Sequence, residues 1–570
     1  MTPSQPKECG FASHPETSPV RDRSEGDELG SGTALRGASG WWAIIPALCV
    51  LGLALVHGPQ AGSLDDAFVV LADARQLMPE EPRVSGDQLI EGSTSLLDCA
   101  VKALWLRIVP GTDPLAGAGL LGLIWLITLA VVTVRVVGRW SSSWGAAAVA
   151  GCLVALSPGL TESAGYLLEG PLFALLWTLT LVAAVEARPG RVLLWAFLLA
   201  AARPEGLALA PVVLFWAGRG SRAGSVRWGL AGLGATALVT GIRLAIYGAW
   251  VPNTFHAKSS DSRLQELADG WHYLVDVLVT SGRPSLVAAA LLAGVFGVGL
   301  LARSALGKRG SGGLLGFALL YAVGLAVSGG DSYTGARLFM PVALPVWLAL
   351  GRAVPRAHSQ RALPLLLAPL ILLGLASLGP SLAREASHPW RLVPQAVHGL
   401  ASGPVGLEAF AGDEEVFEAV AGALGSDETF AHLHTQRFRW FEPDAKVLDL
   451  TGLTDRRIAR LPAPGPIRFG RASIELALEE RVGALHLDPL RGRVVSLVDA
   501  PDLARALSDS AIAGRYLGEP FLRVDLADRL ADQYVAASRR FPAGGGYFNL
   551  LVRADLAGRF LDQGFRVSQH

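Results

Sequence analysis

Lysine is nearly absent from this chain: five occur among 570 residues, against 44 arginines. Cysteine is as scarce. Cys9, Cys49, Cys99 and Cys152 have no metal-ligand spacing, and none follows residue 152, so the C-terminal part is not a disulfide scaffold. Basic and acidic residues balance at 49 each, which leaves no overall field for a polyanion and excludes nucleic acid as a partner. No Walker loop, dinucleotide-binding glycine fingerprint or histidine-rich metal motif occurs, so neither nucleotide hydrolysis nor a cytosolic nucleotide-sugar site is indicated. Only 17% of the residues are charged while 51% are apolar, with a mean hydropathy of +0.40, the composition of a membrane protein with a soluble part.

Residues 1–40 are rich in Pro, Ser, Gly and charge and predict a disordered cytoplasmic tail. The apolar run that follows, Trp41 to Val56, comes late and lacks a small-residue cleavage site, so it reads as a retained anchor. Spans of membrane length are predicted near 41–57, 115–137, 144–160, 170–186, 228–247, 285–302, 314–328, 336–351 and 362–379. The segment 192–217 is apolar but broken by Arg203-Pro204-Glu205-Gly206. Basic residues cluster after alternate spans, at Arg135 and Arg139, Arg188 and Arg191, Arg219, Arg222 and Arg227, Arg303, Lys308 and Arg309, and Arg352, Arg356 and Arg361. The positive-inside rule assigns these loops to the cytoplasm and the acidic segments 61–113 and 158–169 to the outside. Both ends of 192–217 are basic, so it is predicted to be a hairpin of two half-helices with Arg203 and Glu205 at an outer tip. The expected protein is a polytopic α-helical membrane protein of about 10–11 membrane helices, in the inner (plasma) membrane and surrounded by lipid. Residues 41–380 would form its membrane domain and 381–570 an extracytoplasmic α/β domain.

On this reading six polar clusters share the outer face. Asp65-Asp66 puts two adjacent carboxylates beside the bilayer, an acid/base or divalent-cation device (Mg, Mn or Ca) or simply a solvated loop start. Leu96–Val109 has apolar residues at helical spacing, interrupted by Asp98, Lys102 and Arg107; it suits an interfacial helix or one packed on the soluble domain. Lys258 ends Val251–Lys258, where a compact ammonium suits a lipid phosphate or a snorkelling side chain. His256 suits a sugar hydroxyl or a loop without a role. Asp331 and Arg337 bracket a glycine-rich connector that is either a headgroup clamp or a capped turn.

Taken in order, Asp65-Asp66-Ala67-Phe68, Glu91-Gly92-Ser93-Thr94, Arg203-Pro204-Glu205-Gly206, Val251–Lys258 and Gly329–Arg337 resemble bacterial polytopic glycosyltransferases of the C superfamily (GT-C). They are most similar to the branch of the mycobacterial terminal β-(1→2)-arabinofuranosyltransferase, which reads approximately DDAY, EGYTN, RPEG, LPNTYYAK and GGD…R. Val447–Arg460 also resembles that branch's DLxGLxD segment. Phe68, Ser93, Ser95 and Ser332 depart from the usual residues. The resemblance implies a GT-C-like bundle with a periplasmic α/β domain and an inverting transfer of a sugar. The donor would be a polyprenyl-phosphate sugar, arabinofuranose in the relatives, and the acceptor a cell-envelope glycan or lipid-linked molecule. It also implies roles: Asp65 or Asp66 as base or metal ligand; Lys258 and Arg337, with Arg203, on the leaving phosphate; Glu91, Thr94, Glu205, Asn253, His256 and Asp331 around the substrate cavity. A lipid-linked oligosaccharide ligase or phosphotransferase would use the same parts; a transporter is a third reading.

In the C-terminal part, Glu414–Leu424 and Ser473–Arg481 read as helices, and Thr429–Leu433, Val447–Leu450, Gly483–Leu487 and Tyr547–Val552 as strands.

Overall fold

The computed structural model describes residues 42–48, 50, 65–78, 89–141, 143–155, 157–259, 262–280, 311–330, 337–353, 411–432, 435–461, 474–486, 529–530, 532–540 and 547–568. The tail 1–40, the spans 285–302 and 362–379, Asp331 and the proposed boundary near 380 lie outside them.

Helix boundaries follow local chemistry. Helix α1 (Asp65–Gln76) and α2 (Leu96–Ile108) lie in the long first loop. Ser95 caps α2, its side chain accepting from Asp98 N at 3.2 Å. Serine thus does the capping an asparagine would do there. Helix α3 (Pro114–Ser141) starts at a proline with Asp113 accepting from Leu115 N and Ala116 N at 2.8 and 3.0 Å. Helix α4 (Trp144–Ala155) and α5 (Pro158–Gly165) replace the single predicted span 144–160; their axes meet at 54°, with Pro158 opening the second piece. Then come α6 (Gly170–Val185), α7 (Pro189–Ala202), α8 (Pro204–Ala217) and α9 (Arg222–Tyr247), which stops at Gly248 with φ +64°. The short α10 (Asn253–Lys258), α11 (Arg263–Thr280), α12 (Ser311–Val327) and α13 (Met340–Ala353) complete the helical half. By length and composition α3 and α9 can each cross a membrane, and the bent α4–α5 pair is a third candidate.

The break in 192–217 is a hairpin. Arg203 precedes a proline, which disfavours helical backbone, and it is extended at φ −158°, ψ 152°. Its guanidinium meets Glu169, just before α6, while Arg219, beyond the far leg, donates to Ala184 O at 3.0 Å near the end of α6. Both legs therefore run alongside α6. Gly206 makes the tight tip fit, because a Cβ there would collide with the Leu199 carbonyl.

The C-terminal half contains α14 (Ala411–Leu424), β1 (Thr429–His432), α15 (Thr435–Phe441), β2 (Lys446–Asp449), α16 (Ile474–Glu479), β3 (Ala484–His486), β4 (Tyr534–Arg540), β5 (Tyr547–Arg553), α17 (Ala557–Asp562) and β6 (Arg566–Val567). The sheet order is β2-β1-β3-β5-β4-β6, parallel in its first three strands and antiparallel in the rest. Both faces are covered: Phe417, Phe430 and Phe560 pack on one side, Leu448, Leu485 and Leu551 on the other.

Several contacts among the described residues join the halves, and the bond that Arg456 donates to Tyr247 O is one of them. Trp440 and Phe441 of α15 pack on Phe68 of α1 at ring distances of 6.0 and 6.2 Å, and Arg75 lies over Trp440 at 4.1 Å. Asn253 donates to Gly452 O and Leu453 O at 2.7 and 3.0 Å, so the VPNT and GLT segments meet across the junction. The α2 helix packs within the helical half, against α1, α3 and α7, rather than on the C-terminal domain. Its outer side chains Leu104 and Ile108 remain exposed.

Candidate functional site

The bundle has two chemically distinct ends. At one, Glu186 pairs with Arg139 and Arg188 at 3.5 and 3.4 Å, Arg219 reaches the end of α6, and Arg352 lies over Trp140 at 5.2 Å. These residues come from the loops that the charge count groups together. At the other end, beside the start of α6, Arg203 is held between Glu169 and Glu205; its Nη2 donates to Glu205 at 3.0 Å. Thr94 Oγ1 donates to Glu169 at 3.5 Å.

A small cleft opens here, with about 10 Å³ of free space, room for roughly one water-sized group, lined by Leu160, Glu169, Phe173, Arg203, Tyr321 and Met340 among others. Its walls are largely apolar and one end is charged. The turn Arg337–Phe339 brings Leu338 to the wall, so Arg337 belongs to this neighbourhood by its backbone. Helix α1 reaches the cleft through Val70, which packs on the lining residue Leu168.

The predicted residues divide. Asp65 and Asp66 open α1, whose next residues Ala67 to Ala74 are all buried, so the pair starts a packed helix rather than a solvated loop. Arg203 lines the cleft, and Thr94 and Glu205 join it through their bonds with Glu169 and Arg203. Glu91 does not line it: it is buried against Arg243 of α9 at 2.6 Å, with side-chain exposures of 2% and 0%. Asn253 is likewise committed to the junction with Gly452 and Leu453. Lys258 is exposed at the end of α10, and His256, partly buried, lies edge-on to Phe255 at 5.8 Å. The phosphate role expected for Arg203 fits the geometry poorly, since two carboxylates already neutralise one guanidinium. Among the described residues no three His, Cys, Asp or Glu side chains come close enough to hold a metal.

Four residues outside the motif reading matter here. Glu169 is the central acid of the cleft; in the sequence it stands out only as an acid, with Glu162, of the outer segment 158–169, without a role. Arg243 sits inside a predicted span, and a charge within a span is a standing pointer to function or to a buried partner. Lys102 pairs with Asp98 at 2.6 Å, both buried. Asp73, two turns beyond Asp66, is buried and accepts from Ser93 N at 2.6 Å. Burial pushes the Asp73 carboxyl up to about 7 against the Ser93 bond, with nearby Glu91 adding to the rise. Burial also raises Glu91, opposed by Arg243, and Asp98, opposed by Lys102.

No known family profile matches the chain, and none of the curated protein sequences does. In fold it is similar to ArnT from Cupriavidus metallidurans bound to undecaprenyl phosphate, with a TM-score of 0.50 and 14% identity over 91% of this chain and 99% of that one. The apo state of the same protein gives a TM-score of 0.45 and 14% identity over 92% and 100%. The likeness to the lipid-bound structure is one of overall fold, and it extends over both halves of the chain.

Proposed function

We propose that this protein is a membrane glycosyltransferase that moves a sugar from a polyprenyl-phosphate donor to an acceptor hydroxyl outside the membrane. The observation that carries the reading is the cleft at the end of the bundle opposite the arginine-rich loops, where Glu169, Arg203, Glu205 and Thr94 converge. The fold shared with a protein crystallised with undecaprenyl phosphate supports the donor class. The motif order supports arabinofuranose as the sugar and a cell-envelope glycan as the acceptor.

In the proposed step the acceptor oxygen attacks the anomeric carbon as the bond from that carbon to the phosphate oxygen breaks. The electron pair leaves with the polyprenyl phosphate, and the acceptor proton passes to Asp66 or Asp65. One displacement inverts the anomeric centre. Lys258 and Arg337 supply positive charge where the phosphate gains negative charge. Arg203, already matched by carboxylates, shapes the cleft for the sugar hydroxyls.

The test is transfer by the full chain in lipid from decaprenyl-phosphoryl arabinofuranose, read as release of polyprenyl phosphate. Asp66→Asn is expected to abolish transfer while the protein stays folded. Full turnover by both Asp65→Asn and Asp66→Asn would overturn the assignment of the base. No transfer from this donor, together with release of polyprenyl diphosphate from a diphosphate-linked oligosaccharide donor, would favour the ligase reading.

A further inference from the structure

Leu167 is buried and yet stands in left-handed backbone at φ +59°, a conformation costly for a branched side chain. It closes α5: Leu167 N donates to Ala164 O at 3.1 Å and Leu168 N to Ser163 O at 2.8 Å. This is the bond pattern in which the left-handed position is normally glycine. Two contacts hold the conformation. Lys102 Nζ, paired with Asp98, donates to Leu167 O at 2.6 Å. The Leu167 side chain packs with Phe68 and Leu71 of α1, Leu115 and Ala118 of α3, and Trp440 of the C-terminal domain. Leu168 then lines the cleft, and Glu169 pairs with Arg203.

We infer that Lys102 is a positioning residue for the cleft: by holding the Leu167 carbonyl it keeps a strained turn in the geometry that aims Glu169 at Arg203 and Thr94. The same turn inserts Leu167 beside Phe68, two residues from Asp66. One device therefore sets Glu169 relative to the helix that begins with the aspartate pair. Strain kept by several independent contacts is a recurring property of functional sites. A glycine would satisfy the helix end without the cation, but it would leave α1 unanchored to the turn. The inference rests on the cleft being the site of sugar transfer.

The full chain in lipid, turning over decaprenyl-phosphoryl arabinofuranose, tests it with four variants. Glu169→Gln and Lys102→Met are each expected to lose roughly 10- to 100-fold in kcat/KM, the scale of a small misplacement of working groups. The double variant should be little worse than either alone. Adding Leu167→Gly to Lys102→Met should recover turnover several-fold on the order expected when the left-handed position carries no Cβ. It should do so while lowering thermal stability, because the packed leucine is lost. Activity that rises as stability falls is something a purely structural Lys102 would not produce. If Lys102→Met does not fold, Asp98→Asn with Lys102→Met removes both buried charges and takes its place. Loss with Glu169→Gln but full turnover with Lys102→Met would overturn the positioning role and leave the cleft assignment standing. Full turnover by Glu169→Gln, or no transfer by the unaltered chain, would overturn both.

Discussion

Two acid–guanidinium clusters in the helical half use the same chemistry for opposite ends. Glu91 and Arg243 form a closed one-to-one pair with exposures of 2% and 0%, clamped between the first loop and α9. Glu169, Arg203 and Glu205 form an open cluster with exposures of 7%, 12% and 30%, and it carries one carboxylate too many. Closure with balanced charge suits a fastener. Openness with surplus charge suits a surface that meets substrate. Residue type alone does not separate the two, because each has a motif glutamate and an arginine that lies in or beside an apolar run.

The contrast predicts its largest stability effect at Arg243. Arg243→Met should destabilise the protein by about 3–5 kcal/mol, because it leaves the buried Glu91 carboxyl without its partner. Glu91→Gln combined with Arg243→Met removes both charges and should recover much of that loss. Thermal and denaturant unfolding in detergent read both values. An Arg243→Met protein as stable as the unaltered chain would mean that the closed cluster fastens nothing.

Asp73 extends the closed cluster and gives it a pH signature. Its native carboxyl titrates near 7, whereas the unfolded value is 3.8. Between those values the native state holds a proton that the unfolded state has lost. Stability should therefore fall as pH rises from about 4 to about 7, by at most about 4 kcal/mol, and level off outside that window. Asp73→Asn should flatten this slope, leaving the part due to the other carboxyls that burial raises, Glu91 and Asp98 among them. Unfolding curves across the pH range for the two proteins provide the check.

Much of this organisation is legible from residue order, and the illegible part has physical reasons. The hairpin at Arg203 follows from a proline after an arginine in an apolar run with basic ends. The strands at 429–432, 446–449, 484–486 and 547–553 follow from short apolar runs between turn residues. Strand β4, with sequence YVAASRR, ends in polar and charged residues and hides its apolar alternation. The bend at Pro158 was masked by continuous hydropathy on both sides. Among site residues, motif order brought Thr94, Arg203 and Glu205 to attention, but it could not say that Glu91 and Asn253 are spent on contacts. That distinction depends on partners more than a hundred residues away, Arg243 for Glu91 and Gly452 for Asn253. Lys102 was visible only as an interruption of an apolar helix face, because its partner carbonyl is set by tertiary folding.

Asn253 ties the closed cluster to the C-terminal domain: its backbone N donates to Glu91 O at 3.2 Å while its side chain donates to Gly452 and Leu453. Asn253→Ala leaves two carbonyls without this donor and should cost about 1–3 kcal/mol. Limited proteolysis should release the C-terminal domain sooner than in the unaltered protein. Unchanged release would mean that the remaining contacts, the packing of Phe68 on Trp440 and Phe441 and the bond of Arg456 to Tyr247 O, suffice to hold the domain.

The smallest stability effect is expected at Glu205, the most exposed member of the open cluster. Glu205→Gln should change stability by less than about 1 kcal/mol, as for partly solvated ion pairs. Its value lies in what it does to Arg203. With Glu205 neutral, Glu169 alone balances the guanidinium, and the cluster loses its surplus negative charge. If Arg203 held the lipid phosphate, relieving that competition would tighten undecaprenyl phosphate binding several-fold, roughly in proportion to the repulsion removed. An arginine that only shapes the cleft leaves the affinity for undecaprenyl phosphate unchanged, and the variant then lowers turnover alone. Unchanged affinity is the expected result, because Arg203 keeps Glu169 as its partner and the phosphate is assigned to Lys258 and Arg337.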